Sequence, residues 1–113
     1  MDESRPIFLQ IAEQIENDIL SGAVPENSQI PSTNEYAAFH RINPATAGKG
    51  VNVLVDAGIL YKKRGIGMFV AEGAREKILT ERRGTFLAEF VLPLLGEAHT
   101  LGMTPEQVAA MIM

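Results

Sequence analysis

QIPSTNEYAAFHRINPATAGKGVNVLVDAGILYKKRGIGMFV, residues 29–70, is the stretch on which the reading of this chain turns. It opens on Gln29-Ile30-Pro31, an extended run too short for more than one sheet-edge pairing. Ser32-Thr33-Asn34-Glu35 then has capping-box spacing: Ser32 accepts from the Glu35 N–H while the Glu35 side chain reaches back. The helix it starts is expected to bury Tyr36, Ala37 and Phe39 and to stop near His40-Arg41. Asn43-Pro44-Ala45-Thr46 is a second start signal, with Asn43 as N-cap and Pro44 in the first turn, where its missing N–H costs nothing. This helix is expected to reach Ala57 and close at Gly58. It would turn Ala47, Val51, Leu54 and Val55 inward and Ala45, Thr46, Lys49, Asn52 and Asp56 outward.

Ile59-Leu60-Tyr61 and Met68-Phe69-Val70 read as two strands joined by residues 62–67. The connection carries Lys62, Lys63 and Arg64 and then Gly65-Ile66-Gly67, whose glycines accept positive φ at little steric cost. It is not a nucleotide-binding glycine loop, for it lacks the third glycine and no helix opens behind it. Two short helices followed by a basic, glycine-tipped hairpin is the layout of a winged helix-turn-helix that binds DNA. Gly48 and Gly50 stand out within the second helix, since each costs about 1 kcal/mol relative to alanine. Two readings stay open: close approach of the helix backbone to the floor of the major groove, or a cost absorbed by tertiary packing.

Charge follows the same division. Between Arg41 and Arg64 there are five basic residues (Arg41, Lys49, Lys62, Lys63, Arg64) against one acid, Asp56, a net of +4. The rest of the chain holds five basic and thirteen acidic residues, a net of −8, so the formal total is −4. An acidic body with a basic patch suits salt-sensitive DNA binding of modest affinity rather than indiscriminate coating.

Upstream, Phe8, Ile11, Ala12, Ile15 and Ile19 fall on one face of a helix that spans 6–20, with Pro6 in its first turn and Gly22 as its left-handed cap. Downstream, residues 72–92 read as a long helix with Ile78, Leu79, Phe86, Leu87, Phe90 and Val91 drifting around one side. Gly84 weakens it, and Pro93 is expected to break or restart it. Residues 94–101 follow as a further turn or two. Thr104-Pro105-Glu106-Gln107 opens a last short helix with another capping box. The fold class expected is mainly α with a small β-hairpin: a winged-helix domain at 1–71 and a helical dimerisation tail at 72–113. A tail of this length cannot close its own core, so its apolar faces must be buried against the first domain or against a second copy, the second being favoured because two-fold dimers are the commonest oligomers.

The chain has 113 residues, 46% of them hydrophobic and 21% charged, which suits a single small globular protein. It has no cysteine, hence no disulfide, thiolate metal site or cysteine nucleophile. There is no apolar run long enough to span a membrane, and the acidic start MDESRP is not a secretory signal, so the expected location is the cytoplasm. No cofactor is expected. His40 and His99 are isolated in the sequence, and no serine elbow or paired carboxylates appear, which argues against an enzyme. His99 in GEAHTLG has two readings, a metal ligand or pH sensor and an ordinary surface or capping residue, with the second favoured.

PIFLQIAEQIENDILSG, QIPSTNEYAA, INPATAGKGVNVLVDAGIL and RGIGMFV, in that order over residues 6–70, resemble the GntR family of bacterial transcription regulators. The short helical tail and the INPATA opening are most similar to its YtrA-like subfamily. The resemblance implies a homodimeric winged-helix repressor on an inverted-repeat operator. It also implies that Asn34 occupies a position where the family often has a DNA-contacting arginine, and that Gly48 stands where other subfamilies carry one. Lys49 matches the YtrA-type place and Arg64 the wing. A lysine lacks the bidentate fork with which arginine reads guanine.

The expected DNA-binding set is therefore Thr46, Lys49 and Asn52 in the major groove, Ser32, Arg41 and Asn43 toward the backbone, Lys62, Arg64, Gly65 and Gly67 at the wing, and Asn34 at the place of the family's DNA-contacting arginine. Lys62 and Lys63 alone would be ordinary solvated charge; beside Arg64 at a hairpin tip they favour DNA. A winged helix used only for protein contacts is the alternative. A small-molecule effector at the dimer interface is a further option, with Met103, Met111 and Met113 as an adaptable lining or as plain core.

Overall fold

The computed structural model describes residues 3–113; Met1 and Asp2, the beginning of the acidic start, lie outside them. Six helices and one hairpin follow in the order α1 (Ile7–Ser21), α2 (Thr33–His40), α3 (Pro44–Asp56), β1 (Leu60–Lys63), β2 (Gly67–Val70), α4 (Ala74–Phe86), α5 (Leu92–Thr100) and α6 (Pro105–Ile112), with a π-turn over Leu87–Val91. The fold is the expected one, mainly α with a two-stranded antiparallel hairpin.

Two compact units divide at Leu79/Thr80. The expected boundary at 71/72 lies earlier, because the first turns of α4 belong to the first core: Ala74 and Ile78 are fully buried there. That core is built from the α1 stripe Ile11, Ile15 and Ile19, the α3 stripe Ala47, Val51 and Leu54, and Ile59, Leu60 and Val70 of the hairpin region. The hairpin register pairs Leu60 with Val70, Tyr61 with Phe69, Lys62 with Met68 and Lys63 with Gly67. On the other edge of β2, Gln29 makes a single antiparallel bridge to Phe69, as its short extended run required. The Ile30 N–H donates to the Met68 carbonyl at 3.0 Å, so this run ties the segment before α2 to the wing.

Two expectations change, at Phe39 and at the start of α4, and one is settled, at Pro93. Phe39 is 83% exposed, not buried. On a helix of eight residues the buried stripe is Tyr36 and Ala37, and Phe39 lies about 110° away from it at 100° per residue. Of the two outcomes expected at Pro93, a restart is the one found: Pro93 stands in the first turn of α5, and the Leu92 N–H donates five residues back to the Leu87 carbonyl, in a π-turn. Widening the turn relieves the clash that a proline ring makes with the carbonyl four residues earlier. Helix α4 starts at Ala74 rather than 72, since Gly73 is in the left-handed conformation and the start is capped from elsewhere. Glu26 supplies that cap, its carboxylate accepting from the Gly73 N–H at 2.7 Å and the Arg75 N–H at 3.2 Å.

In the second unit α5 and α6 form a helical hairpin, turned by Leu101-Gly102 and held by the Met103 N–H on the Ala98 carbonyl at 2.8 Å. The expected capping box is formed: Gln107 N–H to Thr104 Oγ1 at 3.2 Å and Thr104 N–H to Gln107 Oε1 at 2.8 Å. Only Ala98 and Val108 are buried in this unit, while Phe86, Leu87, Phe90, Leu92, Leu101, Met111 and Ile112 are exposed. No helix among the described residues is long and apolar enough to cross a membrane.

Candidate nucleic-acid interface

Helices α2 and α3 are joined by the turn Arg41-Ile42-Asn43. Arg41 takes the left-handed conformation (φ 56°), a cost of about 1–2 kcal/mol that glycine would avoid, and the Ile42 N–H closes the turn on the Ala37 carbonyl at 3.0 Å. The Arg41 side chain is exposed there, beside the N-terminus of α3. Asn43 Oδ1 accepts from the Ala45 N–H at 2.8 Å, so its oxygen is committed to the cap and its amide N–H2 is the group left to donate. With Pro44 lacking an N–H and the Thr46 and Ala47 N–H groups bonded to the Asn43 carbonyl, α3 meets a phosphate through side chains rather than through its own amides.

At the start of α2 the reciprocal cap is complete, Glu35 N–H to Ser32 Oγ and Ser32 N–H to Glu35 Oε1, each at 3.1 Å. Ser32 keeps its hydroxyl proton as a donor, and Asn34 is exposed two residues along, in the first turn of α2. Thr33 stands against the middle of α3, its Cγ2 3.5 Å from where a Cβ on Gly48 would lie. The structure thus sets the start of α2 against α3 through Thr33 and puts Arg41 at the far end of α2, about 13 Å along the helix axis from Ser32.

Along α3, Ala45, Lys49, Asn52 and Asp56 are exposed on one stripe and Thr46 is half-exposed beside it, as expected. The Lys49 ammonium lies 4.1 Å from the centre of the Phe8 ring. The two glycines have different reasons. A Cβ on Gly50 would stand 2.6 Å from the Phe8 carbonyl oxygen and 3.0 Å from Ile11, so Gly50 serves the packing of α3 on α1 and faces away from any partner. A Cβ on Gly48 would meet nothing closer than Thr33.

The wing is shorter than expected, with Lys62 and Lys63 inside β1 and only Arg64-Gly65-Ile66 at the tip. The Ile66 N–H donates to the Lys63 carbonyl at 2.9 Å, and Gly65 (φ 77°) takes the left-handed position that this tight tip demands. Gln29 braces it from behind: its side-chain N–H donates to the Ile66 carbonyl at 3.0 Å and fills the space a side chain on Gly67 would need. Lys63 is held over Phe69 at 4.2 Å, next to the stacked pair Tyr61–Phe69, whereas Lys62 and Arg64 are exposed without such a contact. Of the two histidines, His40 ends α2 stacked on Tyr36 and edge-on to Phe39, and His99 lies exposed in the last turn of α5. Burial pushes the Tyr36 hydroxyl up to about 12, with the Asp18 carboxylate adding to it.

No protein-family model matches the chain. Its sequence is 31% identical over 105 residues to the HTH-type transcriptional repressor YtrA of Bacillus subtilis, across 93% of this chain and 80% of that protein. A regulator from Bacteroides thetaiotaomicron described as of the GntR family matches at 39% identity with a TM-score of 0.74, over 94% of this chain and 92% of its own. The chain belongs to the GntR family.

As a GntR-family protein it is a DNA-binding transcriptional regulator. The AraR DNA-binding domain, in its structure with the operator ORX1, matches over 63% of this chain and 87% of that one, at 32% identity and a TM-score of 0.57. Phe8 and Gln29, which touch Lys49 and the wing tip of this GntR protein, were not singled out for the site from the sequence. The two act across the fold, on residues 41 and 37 positions away, and no local pattern marks them. Lys63, read from the sequence together with Lys62 and Arg64, stands opposite Gly67 in the hairpin and diagonal to Phe69, which places its cation over that ring.

Proposed function

We propose that this GntR regulator works as a homodimeric repressor on an inverted-repeat operator, acting in the cytoplasm. In this reading α3 lies in the major groove, with Thr46, Lys49 and Asn52 toward base edges. Ser32, Arg41 and Asn43 face phosphates, Asn34 contacts DNA from the first turn of α2, and Lys62, Arg64, Gly65 and Gly67 form the wing contact. The observation that carries it is the exposed stripe Ala45, Lys49, Asn52 and Asp56 of α3, followed along the chain by a basic, tightly turned hairpin tip. Repression is supported by the name of the YtrA relative.

The dimer is supported by the second unit. A groove of about 400 Å³ between α5 and α6, lined by Leu94, Ala98, Leu101, Met103, Val108 and Met111 among others, is open and almost wholly apolar. A second copy's tail would bury it. An apolar effector would be taken at the same groove, next to Met103 and Met111.

The test is fluorescence anisotropy of a labelled duplex from the gene's own upstream region, titrated over salt against a scrambled competitor. Competitor-resistant binding with a steep salt slope is expected, lost in the Lys49→Ala, Arg64→Ala double variant. Equal, weak binding to both duplexes, unchanged in that variant, would instead assign the fold to protein contacts.

A further inference from the structure

We propose that Phe8, at the start of α1, is a positioning residue for DNA reading: it holds the Lys49 side chain in place on the exposed stripe of α3. The inference rests on the reading of Lys49 as a base-contacting residue. Two contacts carry it. The Lys49 ammonium stands 4.1 Å from the centre of the Phe8 ring, where the negative face of the π-system attracts a cation. The Phe8 carbonyl oxygen lies against the neighbouring residue, 2.6 Å from where a Cβ on Gly50 would be.

One residue thus touches α3 twice. Its backbone uses the gap at Gly50, on the buried side, and its ring comes round the helix to Lys49, on the exposed side. The absence of a side chain at position 50 is what lets α1 come close enough for this.

A free lysine has a flexible four-carbon stem and gives up rotamer freedom when it docks on a base edge. The ring gives up that freedom in advance. The ammonium has three N–H donors, and the ring occupies one side of it, leaving donors to meet guanine O6 or N7. Among the described residues Lys49 is the one α3 side chain whose cation stands over an aromatic ring, so the arrangement singles out this lysine among the outward residues.

The experiment is a double-mutant cycle on the full chain: wild type, Phe8→Leu, Lys49→Ala and both together. Anisotropy on the upstream duplex and on its scrambled counterpart is read at one salt concentration, with urea unfolding alongside. Phe8→Leu is expected to weaken binding to the upstream duplex by about two- to fivefold per half-site, the factor matching a cation–π contact at an exposed site. It should leave the scrambled duplex unaffected and have no further effect once Lys49 is alanine. Phe8→Tyr should restore wild-type binding.

Replacing Phe8 with 3,4,5-trifluorophenylalanine keeps the ring's shape and packing while draining its π-face, and it should reproduce the Phe8→Leu loss. That variant serves if Phe8→Leu does not fold. Equal losses with and without Lys49, equal losses on both duplexes, or wild-type binding by the fluorinated ring would each overturn the role of Phe8. If Lys49→Ala alone leaves binding to the upstream duplex unchanged, the base-reading role of Lys49 fails first, and the inference with it.

Discussion

Gly48 and Gly50 sit two residues apart on one helix, yet the structure gives them opposite expectations. At Gly50 an alanine methyl would be driven into the Phe8 carbonyl, a backbone atom that cannot swing aside. Gly50→Ala is expected to destabilise the protein by roughly 1–3 kcal/mol despite alanine's better helix propensity. At Gly48 the same methyl meets Thr33 Cγ2 at ordinary contact distance. Gly48→Ala is expected to stabilise by up to about 1 kcal/mol. Urea unfolding of the two variants, run side by side, checks the pair, and a gain in stability at Gly50 would refute the close-packing account. Tyr36 sets a pH expectation. Its folded value is raised to about 12 from an ordinary 10.0, so the folded state keeps the proton while the unfolded chain loses it. Its contribution is therefore complete below pH 10 and fades as pH rises from 10 toward 12, at no more than about 1.4 kcal/mol per pH unit. Other groups titrate there too, so the measurement is the difference between wild type and Tyr36→Phe: the variant's stability should fall less steeply across that window.

Local signals foretold the elements well wherever the interaction that forms an end is itself local. Ser32 with Glu35, Asn43 with Ala45, and Thr104 with Gln107 all bond within three residues, and each cap is present. The start of α4 is the contrast. Its cap comes from Glu26, 47 residues before Gly73, and nothing in the sequence around 72 announces it. Glu26→Ala is expected to cost about 1 kcal/mol and to speed hydrogen exchange at the Gly73 and Arg75 amides. Unchanged exchange at both amides would show that water replaces the carboxylate at no cost. Pro93 teaches the same lesson from the other side: proline's local rule leaves a break or a restart open, and the structure decides for a restart, through a π-turn over Leu87–Val91.

At the scale of the whole molecule, the two units differ in how far each completes itself. The first encloses a core of fully buried side chains, including Ile11, Ile15, Val51, Ile59, Leu60, Val70 and Ile78. The second leaves Leu101 65% and Met111 75% exposed. Under the dimer reading, placing a charge there should be costly to assembly and harmless to the first unit. Leu101→Glu with Met111→Glu is expected to shift the protein to a monomer in sedimentation velocity. Binding to a two-half-site duplex should drop at least tenfold, while far-UV dichroism stays near wild type. A dimer that survives both charges would place the interface elsewhere. The charge division acts at this scale too: with the net +4 of 41–64 in a chain of net −4, DNA affinity is expected to fall steeply with salt in the same anisotropy titration.

What the sequence determined by itself was order and type: three helices, a glycine-tipped hairpin, a helical tail, and the outward stripe Ala45, Lys49, Asn52 and Asp56. Those follow from periodicity, capping and turn chemistry, which act over a few residues and are written in them. The tertiary structure alone decided which residues at a distance share one place. It set the Phe8 ring over Lys49, Gln29 behind the wing, Glu26 at the start of α4 and Gly50 against α1, and it left Phe39 in solvent. Each of these depends on how helices and hairpin pack, and packing brings together residues whose separation along the chain carries no signal of their contact.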